Sequence, residues 1–216
     1  MEKNKIIEAL KQAKENSKAR KFKQSFDLVV NLKDLDLKKP EQQIDFFITL
    51  HHDIGRKMKV CALIGPESKE ESKAADNIIT LEQFDKYQQD KKLTKKLAGE
   101  YDFFVAQANL MGKVASAFGR ILGSRGKMPN PKGGCVVPPK SNLKPLVDKL
   151  QQTVRVMAKT SLIFQCSVGK EDGKIEDVAE NVQDIYKSLV QHLPAGENNL
   201  KSVLIKTTMG TPVKLV

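Results

Sequence analysis

The chain contains two kinds of predicted β-strand, and their order along the sequence constrains the fold more than any other feature. Residues 25–32, 44–50 and 200–208 alternate between the two faces of a strand, which is typical of strands with one buried face and one solvent-facing face. Residues 60–65 and 102–107 are mostly continuous apolar runs, which indicate strands buried on both faces of a parallel sheet. Because the alternating strands stand at both ends and the buried ones in the middle, the order suggests one domain inserted into another.

Helical patterns complete this division. Apolar residues recur with helical spacing within residues 2–20, 109–122 and 175–189, and a polar helix is expected over residues 67–76. Strands that alternate with helices in the middle of the chain predict a parallel sheet covered by helices on both faces. The polar segment 51–59, which contains a glycine, is a plausible linker into that middle part.

The charge of the chain is strongly positive and unevenly spread. Thirty-seven lysines and arginines against 26 acidic residues give a net charge of +11. Such an excess favours a polyanionic partner, with nucleic acid ahead of an anionic membrane. Residues 57–156 carry 18 basic and 10 acidic side chains, whereas residues 1–56 and 157–216 together carry a net charge of +3. The central part therefore holds most of the excess.

Several classes of protein and site are not expected. No run of 18 apolar residues exists for a membrane span, and the charged N-terminal residues lack the apolar stretch of a signal peptide, so a cytoplasmic protein is expected. Cys61, Cys135 and Cys166 lie far apart, and the three histidines lack metal-ligand spacing. Neither a disulfide, a metal nor a cofactor is expected. No combination of catalytic residue types emerges, so the chain is not expected to be an enzyme.

The densest motif is the glycine-rich segment 119–134, GRILGSRGKMPNPKGG. Its glycines and prolines are expected to end the preceding helix and to form a shaped loop. Its four cations, which could hold phosphates through charge-assisted hydrogen bonds, are Arg120, Arg125, Lys127 and Lys132. On residue types alone, a basic surface loop is favoured over a phosphate site.

A nucleotide-using enzyme built on the parallel sheet is the main alternative, and glycine spacing tests it. In a P-loop ending at Gly126-Lys127, the first glycine would stand at Ile121 and the Ser or Thr at Met128. A dinucleotide fingerprint also fails, because Gly65 after the first buried strand is followed by Pro66 and no further glycines. The sequence therefore lacks both expected signatures.

Two other segments combine chemically useful side chains. Residues 207–212, TTMGTP, end a predicted strand with hydroxyls, a glycine and the polarizable Met209, which could meet a ribose or a base. Phe22 stands among cations in residues 21–27, KFKQSFD, where it could stack on a base. Without further information, a turn is favoured for the first segment and a core position for Phe22.

Taken together, these residues resemble the signature of the ribosomal large-subunit "L-one" (stalk) family. The glycine-rich residues 119–132 carry a highly specific part of the match. Other stretches that agree in the same order are Lys21-Phe22 followed by Ser25 and Asp27, then Val168-Gly169-Lys170, then Ser202, and then Thr207-Thr208-Met209-Gly210. The resemblance spans essentially the whole chain, and its length, early first helix and short tail are similar to those of archaeal members.

The resemblance implies an α/β fold with two domains. The first is a discontinuous RNA-binding domain, a split β-α-β (α+β) domain built from residues 1–56 and 157–216. The second, over residues 57–156, is an inserted Rossmann-like domain with three α/β/α layers, joined through a hinge. This division agrees with the change in strand type along the chain.

The resemblance also implies an RNA-binding surface on the discontinuous domain and a set of partners. The positions expected to bind rRNA and mRNA are Lys21, Phe22, Ser25, Asp27, Gly169, Lys170, Ser202, Thr208, Met209 and Gly210. The implied partners are the large-subunit rRNA of the mobile stalk near the tRNA exit site, the protein's own mRNA, whose translation it represses, and exit-site tRNA, whose release it aids. A cytoplasmic, ribosome-associated protein that is a monomer off the ribosome is expected.

Two departures from the family pattern are visible. Ser124 stands where the family usually has proline, which is expected to loosen the loop. His51-His52-Asp53 replaces a typical Pro-His-Gly before the hinge and is expected to alter its details. A general basic nucleic-acid-binding protein with no preference for RNA structure is a third hypothesis beside the ribosomal protein and the enzyme.

Overall fold

The computed structural model describes residues 2–66 and 74–215, which form two compact units. The first unit comprises Met1–Arg56 and Gln152–Val216, and the second comprises Lys57–Gln151. The helices of the described part are α1 (Lys3–Glu15), α2 (Phe84–Gln89), α3 (Lys91–Glu100), α4 (Met111–Ser124), α5 (Lys144–Gln151) and α6 (Ile175–His192). Its strands are β1 (Ser25–Leu32), β2 (Ile44–Thr49), β3 (Val60–Ile64), β4 (Asn77–Thr80), β5 (Phe103–Gln107), β6 (Val136–Val137), β7 (Thr153–Ala158), β8 (Ile163–Lys170), β9 (Leu200–Thr207) and β10 (Val213–Lys214).

Four strands of the first unit form an antiparallel sheet in the order β10-β9-β1-β8. The alternation of β1 buries Phe26, Leu28 and Val30 and turns the residues between them to the opposite face. α1 contacts β9, α6 contacts β8, and the two helices contact each other. Each large apolar side chain buried in this way contributes about 1.5–3 kcal/mol to folding. The result is a sheet covered by helices on one face and polar on the other.

The pairing of β2 with β7 places the boundary where the chain returns to the first unit earlier than predicted. β7 runs antiparallel to β2, and Arg155 donates from Nε (2.8 Å) and Nη2 (2.9 Å) to the two carboxylate oxygens of Asp45. This bidentate pair joins the strands through side chains as well as through the backbone. Because β7 belongs with β2, the first unit resumes at Gln152 rather than at residue 157.

The second unit is built on a parallel sheet in the order β4-β3-β5-β6. All five residues of β3 are buried, as the continuous apolar run predicted. Phe84, Leu97 and Phe118 from α2, α3 and α4 belong to one hydrophobic cluster, and Leu150 from α5 belongs to a second. The predicted α/β fold class, with a parallel and an antiparallel sheet, is confirmed.

Two helices differ in length from their predictions. α1 ends at Glu15 rather than near residue 20, because Ala13 is its last buried residue. α4 continues to Ser124 rather than ending at residue 122, since Leu122 anchors its last turn in the core, and the rest of the glycine-rich segment follows this helix. The helix predicted over residues 67–76 lies mostly outside the described residues. Among the helices that the structure describes, none has the length and apolar character of a membrane span.

Candidate nucleic-acid interface

The turn that follows β9 is fastened to the first residue of β1. Thr208 N–H donates to the Ser25 carbonyl oxygen at 3.0 Å, and Ser25 N–H donates to Thr208 Oγ1 at 3.0 Å. Gly210 N–H donates to the Thr207 carbonyl oxygen at 3.1 Å and closes the turn. Two predicted site residues that lie 183 positions apart in the sequence are thus in direct contact.

Met209 and Phe22 expose large apolar side chains in the segments that adjoin β9 and β1. Met209 is 59% exposed and Phe22 is 51% exposed. The interpretation of Phe22 as a core residue is therefore wrong. An exposed aromatic ring and an exposed thioether both offer polarizable surfaces on which a base or a ribose can pack.

A polar row crosses the face of the sheet opposite the core. Asp27 of β1 pairs with Ser167 of β8 on one side and with Lys206 of β9 on the other. Partial burial raises the pKa of the Asp27 carboxyl, and the charge of Lys206 opposes that shift. A half-buried carboxylate in this position can accept hydrogen bonds from ribose hydroxyls or base amino groups.

Ser202 is bonded to a residue that the sequence interpretation missed. Asn31 Nδ2 donates to Ser202 Oγ at 2.7 Å, from the strand position directly opposite. Asn31 follows Asp27 by four positions and shares its face of β1, so the period-two pattern of the strand was the signal that could have identified it. The polar face therefore extends along most of β1.

Gly169 is buried and Lys170 is partly exposed at the end of β8, where they pair with the first two residues of β1. A β-carbon on Gly169 would approach Val178 Cγ2 of α6 to 2.6 Å, well inside van der Waals contact. Glycine at this position thus lets α6 pack closely on β8.

Cations gather between α1 and β1, where Lys21 is exposed. Lys23 Nζ contacts Asp172 Oδ2 at 2.6 Å, and this hydrogen bond raises the pKa of Lys23 and lowers the pKa of Asp172. Lys14 Nζ donates to the Glu171 carbonyl oxygen at 2.9 Å. Both contacts tie this region to the turn between β8 and α6.

The four cations predicted as a secondary basic loop in the second unit do not behave alike. Arg120, Arg125 and Lys132 are exposed. Lys127 is partly buried, and its Nζ donates to the carbonyl oxygens of Ala98 (3.0 Å) and Tyr101 (2.6 Å) at the end of α3. A lysine that bonds the last carbonyls of a helix stabilises its C-terminus, and the ammonium group of Lys127 is less accessible to a phosphate than the three exposed cations.

At the carboxyl end of the parallel sheet, where α/β folds bind nucleotides, the backbone N–H that follows β3 is bonded to a side chain. Gly65 N–H, at the point where a phosphate would approach the first strand, donates to Gln107 Oε1 at 3.0 Å. Gln107 itself is buried. Within residues 2–66 and 74–215, no group of three or more His, Cys, Asp or Glu side chains is suited to a metal ion.

Comparison with known proteins gives a match over nearly the whole chain. Residues 10–211 match the ribosomal protein L1p/L10e family. The large ribosomal subunit protein uL1 of Pyrococcus abyssi is 38% identical over 99% of this chain and 96% of its own length. The uL1 protein of Thermococcus kodakarensis is 39% identical over 99% of this chain and 98% of its own length. That of Nanoarchaeum equitans is 41% identical over 97% and 99%, respectively.

These matches decide between the ribosomal protein and the nucleotide-using enzyme, which the sequence motifs alone left as alternatives. The relatives are archaeal proteins of the large ribosomal subunit, and their family is structural, so the nucleotide-using enzyme is excluded and the chain is not an enzyme. The antiparallel sheet of one unit and the parallel sheet of the other agree with the two-domain fold that the resemblance implied. The chain is thus similar over nearly its whole length to archaeal proteins of the large ribosomal subunit, and it belongs to the ribosomal protein L1p/L10e family.

Proposed function

We propose that the first unit binds the rRNA of the mobile stalk, near the tRNA exit site, through one surface that we call the RNA face. Its residues are Lys21, Phe22, Ser25, Asp27, Gly169, Lys170, Ser202, Thr208, Met209 and Gly210. The observation that carries the proposal is the turn at Thr208, which is fastened to Ser25 and presents an exposed Met209 at the end of a polar sheet face.

The chemistry of the RNA face suits recognition by shape and hydroxyl contacts more than by charge. The first unit, residues 1–56 and 152–216, carries a net charge of only +4. Asp27 and Ser202 supply hydrogen-bonding groups, while Phe22 and Met209 supply stacking surfaces. Irregular RNA offers unstacked bases and accessible 2′-hydroxyls to such a surface, whereas a regular duplex mainly offers phosphates.

The same face is proposed to bind the protein's own mRNA and so repress its translation. An mRNA segment that folds like the stalk rRNA would meet the same hydroxyls and stacking surfaces, so the two RNAs would compete for one monomer. An excess of stalk rRNA should therefore release a bound leader fragment of the mRNA. Simultaneous binding of both RNAs to one protein would place the mRNA site elsewhere.

Contact with exit-site tRNA is proposed for the second unit, where it would aid tRNA release. This unit, residues 57–151, carries a net charge of +7, and Arg120, Arg125 and Lys132 are exposed there. Phosphate contacts from such cations are independent of sequence. A contact of this kind suits a ligand that must be held briefly and then released.

Footprinting on total ribosomal RNA tests the leading proposal. Protection confined to one irregular stem of the large-subunit rRNA is expected, and competitor DNA should leave it unchanged. Protection spread over many duplex regions, or its loss to competitor DNA, would indicate a basic nucleic-acid-binding protein without structural preference. Filter binding with the isolated stem then gives the affinity against which variants are compared.

A further inference from the structure

Gln24, the residue before β1, is a polar side chain held inside the first unit. Only 1% of its surface is exposed. Its Nε2 donates to Ser17 Oγ at 2.7 Å and to the Lys18 carbonyl oxygen at 3.3 Å. Its Oε1 accepts a hydrogen bond from Met209 N–H at 3.1 Å. Burial of this amide is tolerated because its polar atoms remain bonded.

The partners of Gln24 determine the orientation of its amide group. The Lys18 carbonyl oxygen can only accept and Met209 N–H can only donate, so Nε2 faces Lys18 and Oε1 faces Met209. Both ends of the amide are thus engaged within the protein. Any effect of Gln24 on a ligand would therefore be exerted through its partners.

The hydrogen bonds of Gln24 join the three segments that carry the RNA face. Its side chain connects the segment after α1, which leads into Lys21 and Phe22, with the turn that carries Met209. Its backbone carbonyl oxygen accepts a hydrogen bond from Glu171 N–H at 3.0 Å, directly after β8. One buried residue at the start of β1 therefore contacts the segments that follow β8 and β9.

We infer that Gln24 is a positioning residue for RNA recognition, which holds the Met209 turn and the Phe22 segment in their binding arrangement without touching RNA. This inference rests on the proposed function of the RNA face. A turn that is ordered before binding loses less conformational freedom when the RNA arrives. Loss of the amide is therefore expected to weaken RNA binding beyond any loss of stability.

The substitution Gln24→Met tests this role because it keeps the side-chain length and removes all three hydrogen bonds. Asn199→Leu is the matched control. The Asn199 amide is also buried, at 4% exposure, accepts from Ala195 N–H, and donates to the carbonyl oxygens of Lys33 and Asp34. Asn199 lies beside the last residues of β1, whereas the turn that carries Met209 lies beside the first residue of β1. Both variants thus lose an equivalent set of contacts at different ends of one strand.

The expected results differ between the two variants. Gln24→Met should raise the dissociation constant for the stalk rRNA fragment at least about tenfold, and Asn199→Leu less than about twofold, while both lower the thermal midpoint. Hydrogen exchange at the Met209 amide of the free protein should accelerate in Gln24→Met alone. Equal losses of affinity in the two variants, or wild-type affinity in Gln24→Met, would overturn the positioning role.

Gln24→Glu adds a chemical rescue. A charged carboxylate places an oxygen against the Lys18 carbonyl, but a protonated carboxyl can again donate there and accept from Met209. The dissociation constant of Gln24→Glu, divided by that of the wild type, should therefore fall toward one as pH falls from about 8 to about 5. The same ratio for Gln24→Met should stay constant. A Gln24→Glu ratio that does not change counts against the role.

The same measurements distinguish failure of the proposed function from failure of the positioning role of Gln24. If the wild-type protein itself does not bind the stalk fragment, the RNA face is wrong. The exchange rate of the Met209 amide in Gln24→Met and Asn199→Leu then still decides whether Gln24 holds the turn in the free protein. If the Met209 amide exchanges equally slowly in the wild type and in Gln24→Met, Gln24 does not hold the turn.

Discussion

A β-carbon on Gly210 would collide with Thr207 Oγ1, because the two residues face each other across the turn that ends β9. In the part of the chain that the structure describes, Thr207 Oγ1 is the one buried side-chain N or O atom without a hydrogen-bond partner. Threonine is branched at Cβ and its χ1 angle is stiff, so the hydroxyl cannot easily turn away. Packing within the protein therefore requires glycine at position 210, independently of any contact with RNA.

Gly210→Ala is expected to lower the free energy of unfolding by about 1–3 kcal/mol through this overlap. Thr207→Ala removes the hydroxyl, and the β-carbon of an alanine at position 210 would then meet the remaining Cβ at 3.5 Å, an ordinary contact. The double variant should therefore recover most of the loss, with a coupling energy of about 1 kcal/mol or more in urea unfolding. Additive effects would show that the turn moves to accommodate alanine.

Met209→Asp is expected to lower the affinity for stalk rRNA at least about tenfold with the fold intact, because Met209 is 59% exposed. The change removes a stacking surface, which can be worth about 1–3 kcal/mol per base, and places a negative charge beside the RNA. Met157→Asp is the matched control, since Met157 is 45% exposed on β7 and is flanked by the cations Arg155 and Lys159. If the two variants bind stalk rRNA with equal affinity in a filter assay, Met209 is not part of the RNA-binding surface.

Thr208→Val should also weaken stalk rRNA binding at least about tenfold. It keeps the shape of the side chain but removes the hydroxyl that bonds Ser25, and the cost to stability is expected to be about 1 kcal/mol. Thr211→Val, at a neighbouring exposed position, controls for the loss of a surface hydroxyl. If both valine variants bind RNA equally well, the Thr208 hydroxyl has no part in recognition.

Local sequence patterns predict which face of a strand is buried, but they do not predict contacts between residues that are far apart in the sequence. Alternation along β1 predicted its buried face because a half-buried strand repeats every two residues, and the same pattern places Asp27 and Asn31 together. The inward position of Gln24 could not be read in this way, since it depends on Met209, 185 positions away. Lys127 looked like a phosphate ligand because residue type alone does not show that carbonyl groups of α3 lie within its reach.

Two acidic residues of α6 form ion pairs whose contributions to stability respond to pH in opposite directions. His51 Nδ1 lies 2.5 Å from Asp184 Oδ2, and this hydrogen bond raises the pKa of His51 above its ordinary value of 6.5. The stability from this pair is complete below about pH 6.5 and is lost as pH rises through the raised pKa. Glu180 contacts Lys3 at 2.6 Å and His52 Nε2 at 2.6 Å, which lower its pKa to about 2 from an ordinary 4.5. Its contribution is present above pH 4.5 and is lost as pH falls through about 2.

Asp184→Asn should therefore lower the thermal midpoint at about pH 6 more than at about pH 9, because His51 is charged only at the lower pH. Both partners lie near the surface, so the difference should be small and should shrink at high salt. NMR titration of the histidine ring should show the pKa of His51 returning toward 6.5 in the variant. A deficit that is the same at both pH values would exclude a charged His51 as the partner of Asp184.

The salt dependence of binding separates recognition by the RNA face from attraction by the second unit. Each neutralised phosphate adds about 0.7–0.9 to the slope of log affinity against log salt. Within the RNA face only Lys21 and Lys170 are cationic, so stalk rRNA should bind tightly with a slope no steeper than about −3. Replacing Arg120 and Arg125 with glutamine should leave that slope unchanged but weaken the binding of exit-site tRNA. A slope near −8 for stalk rRNA would mean that the excess charge of the second unit, rather than the nearly neutral RNA face, dominates its binding.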